Sequence, residues 1–199
     1  MNKKNFSENF NLSSYTTIKV GGVAEYFAEP RSIKEFSYLI KWANSNKHRC
    51  QIIGAGSNLL INNIFIKGLV ICTKKLKSLK IEPYSGIVEA EAGVMLPTLS
   101  NSLAKNGLQG GEWAVGIPGT LGGAIYMNAG TGNLSLAKNL ISVKVINNKT
   151  HEKLEIEKKD INFEYRFSSF QRNDLTIISA KLHFEPNGNL EQLIQTTKN

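Results

Sequence analysis

The residues of this sequence best suited to chemistry are glycines, and they concentrate between Gly110 and Gly132. That stretch holds eight of the 17 glycines, and no Lys, Arg, Asp or Glu occurs from Trp113 to Ala137. An uncharged run of this length also suits a membrane helix, but each glycine would cost about 1 kcal/mol in a helix and Pro118 about 3 kcal/mol. Glycine lets backbone amides approach a ligand closely, and amides without neighbouring cations suit an anionic group. We therefore predict loop backbone at a buried cofactor site.

A second glycine loop runs from Gly54 to Leu59, directly after a short apolar strand. Its sequence, GAGSNL, begins like the G-x-G-x-x-G dinucleotide fingerprint but has Leu59 at the sixth place, and no acid-bearing strand follows at the required distance. The amides of Gly56 and Ser57, with the Ser57 hydroxyl, are suited to hold a pyrophosphate; the alternative is a plain tight turn. Together with Gly116–Ala124, this loop could clasp an extended dinucleotide from both sides. The absence of a G-x-x-x-x-G-K-[ST] pattern argues against a P-loop NTPase.

A third candidate is Arg166, in the segment Phe163–Ser168 with the sequence FEYRFS. An arginine between aromatic residues is commonly a surface ion pair. A fixed guanidinium can also grip a carboxylate at two points and stabilise an enolate-like charge. Asn128 adds a neutral donor and acceptor. The three histidines are isolated from one another and from any acid pattern, so we interpret them as structural, and no Ser/His/Asp arrangement or metal-ligand spacing stands out.

The segments that position these residues alternate between short strands and helices. Ser32 with Glu35 is a capping-box pattern, which predicts a helix reaching about residue 46. Pro97 in a first turn and Gly107 at the C-cap bracket a second helix, and a third begins near Leu190. Strands are predicted at residues 23–28, 51–53, 69–72, 78–81, 87–92, 140–146, 154–156 and 176–184.

Composition limits the class of protein. At 199 residues, with 41% hydrophobic and 20% charged residues, the chain can bury a core as one large domain or two small lobes. The net charge of +8 would suit nucleic acid, a membrane surface or an anionic small molecule. Because Lys and Arg are scattered, we predict no nucleic-acid and no membrane partner. Cys50 and Cys72 make neither a disulfide framework nor a metal site, and no apolar signal region is visible, so a cytoplasmic protein is predicted.

With these residues in view, the chain resembles the UDP-N-acetylenolpyruvoylglucosamine reductase family, flavoenzymes of bacterial peptidoglycan precursor synthesis, in its shorter type II form. Four blocks match in order and spacing: Tyr15-Thr16-Thr17 with Val20-Gly21-Gly22, Gly54–Leu60, Gly116–Ala124 with Tyr126–Gly130, and Phe163–Ser168. The resemblance implies an α+β, two-lobed FAD-binding fold of the vanillyl-alcohol oxidase (PCMH) type. It divides the chain into an arm (1–20), an FAD-binding domain (21–186, with lobes of about 21–73 and 74–186) and the start of a helix leading to a third domain (187–199).

The resemblance also implies roles for individual residues. Arg166, in the family's Tyr-Arg-x-Ser pattern, would be catalytic, holding and polarising the substrate carboxylate with Tyr165 beside it. In the family, NADPH gives hydride to the flavin, which then reduces UDP-N-acetylglucosamine enolpyruvate to UDP-N-acetylmuramate. Residues of both loops would line FAD, chiefly along its pyrophosphate and ribityl chain: Gly54, Ala55, Gly56, Ser57, Asn58, Leu59, Ile117, Pro118, Gly119, Thr120, Gly122, Gly123 and Ala124.

In the family, a third domain carries the proton donor for C2, an assisting glutamate and much of the UDP-sugar site. No residue of Gly188–Asn199 matches those roles. The leading hypothesis is a monomeric, NADPH-dependent flavin oxidoreductase of cell-wall synthesis. The alternative is a non-catalytic FAD-binding fragment of that enzyme, inactive because the enolate would lack a positioned acid. A basic nucleic-acid-binding protein is a third hypothesis, favoured only by bulk charge.

Overall fold

The computed structural model describes residues 6–62 and 64–196. The strands are β1 (Ser7–Asn11), β2 (Val23–Ala28), β3 (Cys50–Ile53), β4 (Phe65–Cys72), β5 (Leu79–Glu82), β6 (Ile87–Glu91), β7 (Gly130–Thr131), β8 (Leu134–Ser135), β9 (Leu140–Asn147), β10 (Lys153–Glu157), β11 (Phe163–Glu164), β12 (Phe167–Ser168) and β13 (Leu175–His183). The helices are α1 (Ile33–Ser45), α2 (Leu96–Lys105), α3 (Leu121–Tyr126), α4 (Leu136–Asn139) and α5 (Leu190–Thr196).

The first sheet builds the smaller lobe, with strand order β1-β2-β4-β3. β2, β4 and β3 run parallel, and β1 pairs antiparallel with β2. The Ser32 side chain accepts a hydrogen bond from the Glu35 amide at 3.2 Å, so the predicted start of α1 is confirmed. α1 lies on one face of the sheet and buries a stripe of side chains at helical spacing: Phe36, Leu39, Ile40 and Ala43.

The second sheet builds the larger lobe; it is antiparallel, in the order β10-β9-β13-β6-β5. α2 and α3 bury aliphatic side chains such as Leu99 and Leu121 in the core on one face. Neighbouring residues of a strand point to opposite faces, and Ile146 and Ile178 accordingly pack on the other side, in the cluster beneath α1. The predicted two-lobed α+β architecture is confirmed. The lobe boundary at about residue 73 stays a prediction; Thr73–Lys75 forms a 3-10 turn there.

Polar contacts at the end of α1 reinforce the junction between the lobes. The side-chain amide of Asn44 donates to the carbonyl oxygen of Asn148 and lies 3.0 Å from Nε2 of His151. The side chain of Asn148 accepts from the Thr176 hydroxyl at 2.7 Å. His151 therefore has a structural contact, as the sequence interpretation expected.

The N-terminal segment differs from its sequence prediction. An arm was expected before residue 21, but Ser7–Asn11 forms an edge strand paired with β2. Aromatic stacking anchors this strand, because the ring centre of Phe10 lies 4.2 Å from that of Phe27 with the planes nearly parallel. Polar residues around the half-buried rings of Phe6 and Phe10 hid the strand from a pattern search.

The glycine-rich stretch also differs, because the prediction of loop backbone throughout is wrong at α3. This helix contains Gly122 and Gly123. Its first amides have partners outside the helix, since Leu121 N donates to Val94 O and Gly122 N to Ala92 O, both at 2.8 Å. These tertiary bonds satisfy donors that a helix start leaves open and outweigh the low helix propensity of glycine. In the described part of the chain no helix is long and apolar enough to cross a membrane.

Candidate functional site

The two glycine loops predicted from the sequence lie directly against each other. The first, Gly54–Leu59, leaves the end of β3; the second, Gly116–Ala124, is fixed to the start of α2 because Leu96 N donates to Gly119 O at 3.0 Å. The Ser57 hydroxyl bridges them by donating to the carbonyl oxygen of Pro118 at 3.0 Å. The structure therefore brings together the two halves of the expected dinucleotide clasp.

Three of the glycines predicted to line a cofactor are already required by the fold. A Cβ on Gly54 would collide with Oγ1 of Thr120 in the opposite loop, and one on Gly122 would lie 2.9 Å from Cβ of Ala92. Gly56 has a φ of +70° and a Cβ there would strike the carbonyl oxygen of Tyr15. Their small size serves the packing of the protein against itself.

Other glycines of the second loop face open space. Gly123 is exposed, and the nearest atom to a Cβ there would be Oγ1 of Thr120 at 3.6 Å. A Cβ on Gly116 would meet nothing within 4 Å. Gly119 differs from these two, because its φ is +141° and a Cβ there would lie 3.3 Å from Oγ of Ser57, which is a tight contact. Since the described protein does not fill the space beside Gly116 and Gly123, these two glycines leave a cradle along the loop that fits close approach by a ligand.

The first loop offers a run of backbone donors. None of the five amides from Ala55 to Leu59 donates to another of the described residues. Successive free N–H groups on a turn form a nest suited to an anion such as a pyrophosphate. The Ser57 hydroxyl is engaged with Pro118 in this structure, so a phosphate contact by Ser57 would come through its amide. The donor set and the open cradle both fit an anionic dinucleotide such as FAD.

Arg166 lies at the tip of the β11–β12 hairpin, where Glu164 pairs with Phe167. Its φ is 55°, a left-handed conformation that costs a non-glycine residue about 1 kcal/mol. Arg166 and Tyr165 are both exposed, and the guanidinium carbon lies 5.5 Å from the centre of the Tyr165 ring. Arg166 has no ion-pair partner among residues 6–62 and 64–196, so the alternative of a surface ion pair is not observed. A free cation on a strained turn is suited to meet a ligand.

Two amide side chains tie this hairpin to the C-terminal end of α3. Asn128 donates to the carbonyl oxygen of Glu164 at 2.9 Å. Gln171 donates to the carbonyl oxygens of Tyr126 at 2.9 Å and Arg166 at 3.2 Å. The glycine loop forms the other end of α3, and six residues of helix rise by roughly 9 Å. The arginine turn and the loop clasp are therefore mounted on opposite ends of one short helix.

The part played by Gln171 was missed at the sequence level. Its only signal is a position five residues after Arg166, which predicts no contact in an irregular segment. Asn128 was noted as a donor and acceptor, and its Oδ1 is buried without a hydrogen-bond partner among the described residues. A buried acceptor of this kind costs free energy unless a further group satisfies it.

Ionisable groups beneath the first loop are held in their neutral forms. The Cys72 thiol donates to the carbonyl oxygen of Gly54 at 3.4 Å, and burial raises its pKa to about 11. Burial, followed by the hydrogen bond to Glu29 at 2.8 Å, raises the pKa of the Tyr15 hydroxyl. Both groups are therefore structural donors at neutral pH, and neither is a nucleophile.

An apolar groove of about 510 Å³ opens beside the first loop, lined by Leu59, Leu60 and Ile61 together with side chains of β3 and β4. No residue of Gly116–Ala124 and no residue of the arginine turn lines it, so it is distinct from the space between the two glycine loops. Within the described residues no cluster of three or more His, Cys, Asp or Glu side chains forms a metal site.

Comparison with known proteins defines the class to which this site belongs. Residues 24–152 match the family model of the FAD binding domain, a span that includes both glycine loops. A UDP-N-acetylenolpyruvoylglucosamine reductase of Prochlorococcus marinus subsp. pastoris (strain CCMP1986 / NIES-2087 / MED4) is 70% identical over 97% of this chain and 65% of its own length. Another, from Prochlorococcus marinus (strain NATL2A), is 44% identical over 99% of this chain and 67% of its own length.

The chain belongs to the UDP-N-acetylenolpyruvoylglucosamine reductase family of FAD-binding proteins, as its sequence resemblance indicated. It spans about two thirds of the length of these curated relatives, 65% and 67%. Among solved structures, the reductase of Thermus caldophilus aligns with a TM-score of 0.75 and 27% identity, over 94% of this chain and 65% of that one. An alkyldihydroxyacetonephosphate synthase shares the fold at 14% identity and a TM-score of 0.68, over 94% of this chain and 39% of that one.

Proposed function

We propose that this chain provides the FAD site of an NADPH-dependent reductase that converts UDP-N-acetylglucosamine enolpyruvate into UDP-N-acetylmuramate, a precursor of peptidoglycan. The observation that carries the proposal is the placement of Arg166, which has no ion-pair partner among the described residues, and of a glycine-loop clasp at opposite ends of α3. The names of the relatives supply the substrate, and the local chemistry suits it: a dinucleotide needs the clasp and a carboxylate needs the guanidinium.

The loop residues hold the cofactor in this proposal. The free amides of Ala55–Leu59 receive the pyrophosphate, and the open side of Ile117–Ala124 follows the adjoining chain of the dinucleotide. When bound, FAD supplies hydride transfer. Because the loops use backbone amides instead of cations, they hold the anion with neutral donors.

The guanidinium of Arg166 binds the substrate carboxylate at two points. As hydride reaches the enolpyruvyl double bond, negative charge develops toward that carboxylate, and a preorganised cation lowers the free energy of the charged state. The exposed ring of Tyr165, against which the guanidinium stacks, restricts its orientation. Neither thiol nor the Tyr15 hydroxyl is placed as the proton donor, because the Cys72 thiol donates to Gly54 O, the Tyr15 hydroxyl donates to Glu29, and Cys50 lies in β3 away from the arginine turn. The proton for C2 therefore has to come from another group.

That proton requirement favours one alternative, in which the chain binds FAD without completing the reaction. The test begins with the purified protein, which should be yellow and release FAD on denaturation. A colourless protein that cannot be reconstituted with FAD would contradict both readings. Anaerobic NADPH should then bleach the flavin, and UDP-N-acetylglucosamine enolpyruvate should restore its colour, whereas UDP-N-acetylglucosamine should not. Bleaching without restoration by substrate supports the non-catalytic alternative.

We further propose that the protein works as a cytoplasmic monomer without a nucleic-acid partner. Its two cysteines are free thiols in the structure, Cys72 fully buried and Cys50 partly so, which suits a reducing compartment. Light scattering on the FAD-loaded protein tests the oligomeric state; a concentration-independent dimer mass would contradict this part of the proposal.

A further inference from the structure

We infer that Gln171 is a positioning residue that fixes the backbone of Arg166 for its contact with a substrate carboxylate. The inference rests on the proposed function of Arg166 and extends it to Gln171. The side-chain amide of Gln171 is already bonded to the protein.

The donors of Gln171 match the acceptors around it. A primary amide has two N–H groups, and its nitrogen lies 2.9 Å from the carbonyl oxygen of Tyr126 and 3.2 Å from that of Arg166. A third contact, 3.6 Å to the sulfur of Met127, is weaker. All three partners are acceptors, so the nitrogen must face them, and the amide spans the gap between α3 and the turn.

The platform to which Gln171 ties the turn is rigid. The carbonyl oxygen of Tyr126 has two lone pairs, and the second bond comes from the hydroxyl of Ser168, 2.8 Å away and fully buried. Gln171 itself lies in a 3-10 turn, Ser169–Arg172, whose Phe170 is buried in the core of the larger lobe. Both anchors of the bridge are therefore set by buried groups.

The turn needs such a bridge because its conformation is unfavourable for arginine. Arg166 has a φ of 55°, a region that non-glycine residues visit rarely. Its own side chain is exposed and makes no ion pair among the described residues, so its stacking on the adjacent Tyr165 ring does not tie the turn to the rest of the protein. Asn128 holds the residue before Tyr165, through Glu164 O at 2.9 Å, and Gln171 holds Arg166 itself.

The test compares Gln171→Glu and Gln171→Met with the parent, all loaded with FAD. Glutamate has nearly the same shape but presents only acceptors to the two carbonyl oxygens, and methionine removes the donors without adding charge. Gln109→Glu is the matched control, because Gln109 is exposed and, within the described part of the chain, bonds only through its backbone. FAD content should stay at the parent value in all of them, since the loop clasp is built from other residues.

Two measurements test whether Gln171 positions Arg166. Amide hydrogen exchange across residues 163–168 should accelerate about tenfold in both Gln171 variants and not in the control. Affinity for UDP-N-acetylglucosamine enolpyruvate should fall about tenfold, while that for UDP-N-acetylglucosamine, which has no carboxylate, should change less than about twofold. A merely structural residue would weaken both ligands equally, and that result, or unchanged exchange, would overturn the inference.

Failure of the proposed function gives a different pattern. If Arg166→Lys leaves the affinity for the enolpyruvate unchanged, Arg166 does not hold the carboxylate, and the assignments to Arg166 and Gln171 both fall. If Arg166→Lys weakens that ligand and the Gln171 variants do not, only the inference about Gln171 is wrong.

Discussion

The hydroxyl of Ser57 donates a hydrogen bond to the carbonyl oxygen of Pro118, 3.0 Å away and 61 residues further along the chain. This bond joins the first glycine loop to the second. The bond fixes the positions of the two loops relative to each other. One of them would receive a pyrophosphate, and the other would line the rest of a dinucleotide. Preorganisation of this kind lowers the ordering cost of binding.

Ser57→Ala should therefore weaken FAD binding without unfolding the protein. The loss of one hydrogen bond corresponds to about 1 kcal/mol, or roughly a fivefold increase in the dissociation constant of FAD. Fluorescence titration of the apoprotein with FAD measures this. Ser45→Ala, on the exposed end of α1, is the control and should bind like the parent. Equal affinity in all three proteins would show that the bridge does not prepare the site.

Gly54→Ala should disrupt the contact between the loops. The added Cβ would overlap Oγ1 of Thr120, a branched side chain that is only 2% exposed and has little freedom to turn away. Overpacking at such a site costs roughly 1–3 kcal/mol, so the apoprotein should unfold at lower urea concentration and bind FAD weakly. Gly116→Ala is the matched control, because its Cβ meets nothing within 4 Å. An apoprotein as stable as the parent would contradict the packing argument.

Gly123→Ala should change the stability of the apoprotein and its affinity for FAD in opposite directions. Residue 123 lies inside α3 with room for a methyl group, 3.6 Å from its nearest neighbour, and alanine is favoured over glycine in a helix by roughly 0.5–1 kcal/mol. The apoprotein should therefore gain stability. If the open side of Gly123 is the cofactor cradle, affinity for FAD should fall at the same time. A gain in apoprotein stability with unchanged FAD affinity would show that FAD does not bind against this face of α3.

These contrasts mark what the sequence could and could not predict. Glycine spacing and the absence of charge located both loops, and the aromatic neighbours of Arg166 drew attention to it, because those signals are local. The Ser57–Pro118 bond was out of reach, since it depends on how two lobes pack. The same holds for α3: its helical form around Gly122 depends on bonds to residues 92 and 94, and propensity alone predicted loop.

Arg166→Lys should retain FAD and lose substrate reduction. Lysine keeps the charge but not the planar fork that binds a carboxylate at two points, and loss of such a preorganised contact slows a reaction by about 10²–10³. Anaerobic stopped-flow absorbance gives the rate at which substrate reoxidises the NADPH-reduced protein. Arg172→Lys is the control; its guanidinium carbon lies 4.7 Å from the ring centre of Phe167 on the same hairpin. Loss of FAD from Arg166→Lys would instead assign that residue to the cofactor.

Cys72 should make the protein less stable in alkali. Burial raises the pKa of this thiol from 9.0 to about 11, so between these values the unfolded chain has lost a proton that the folded chain keeps. The free energy of unfolding then falls as pH rises through that window, by on the order of 2 kcal/mol for Cys72, and this group has no effect below pH 9. Cys50, with a pKa raised to about 12 by burial, adds a decline of the same sign.

Urea unfolding of the parent and of Cys72→Ala at several pH values from about 8 to 11 measures this dependence. The variant should be less stable at neutral pH because it leaves a small cavity, but its stability should decline less steeply with pH than that of the parent. The slope is the decisive quantity, since the cavity term does not depend on proton concentration. Parallel curves for the two proteins would mean that the Cys72 thiol ionises as easily in the folded state as in the unfolded one.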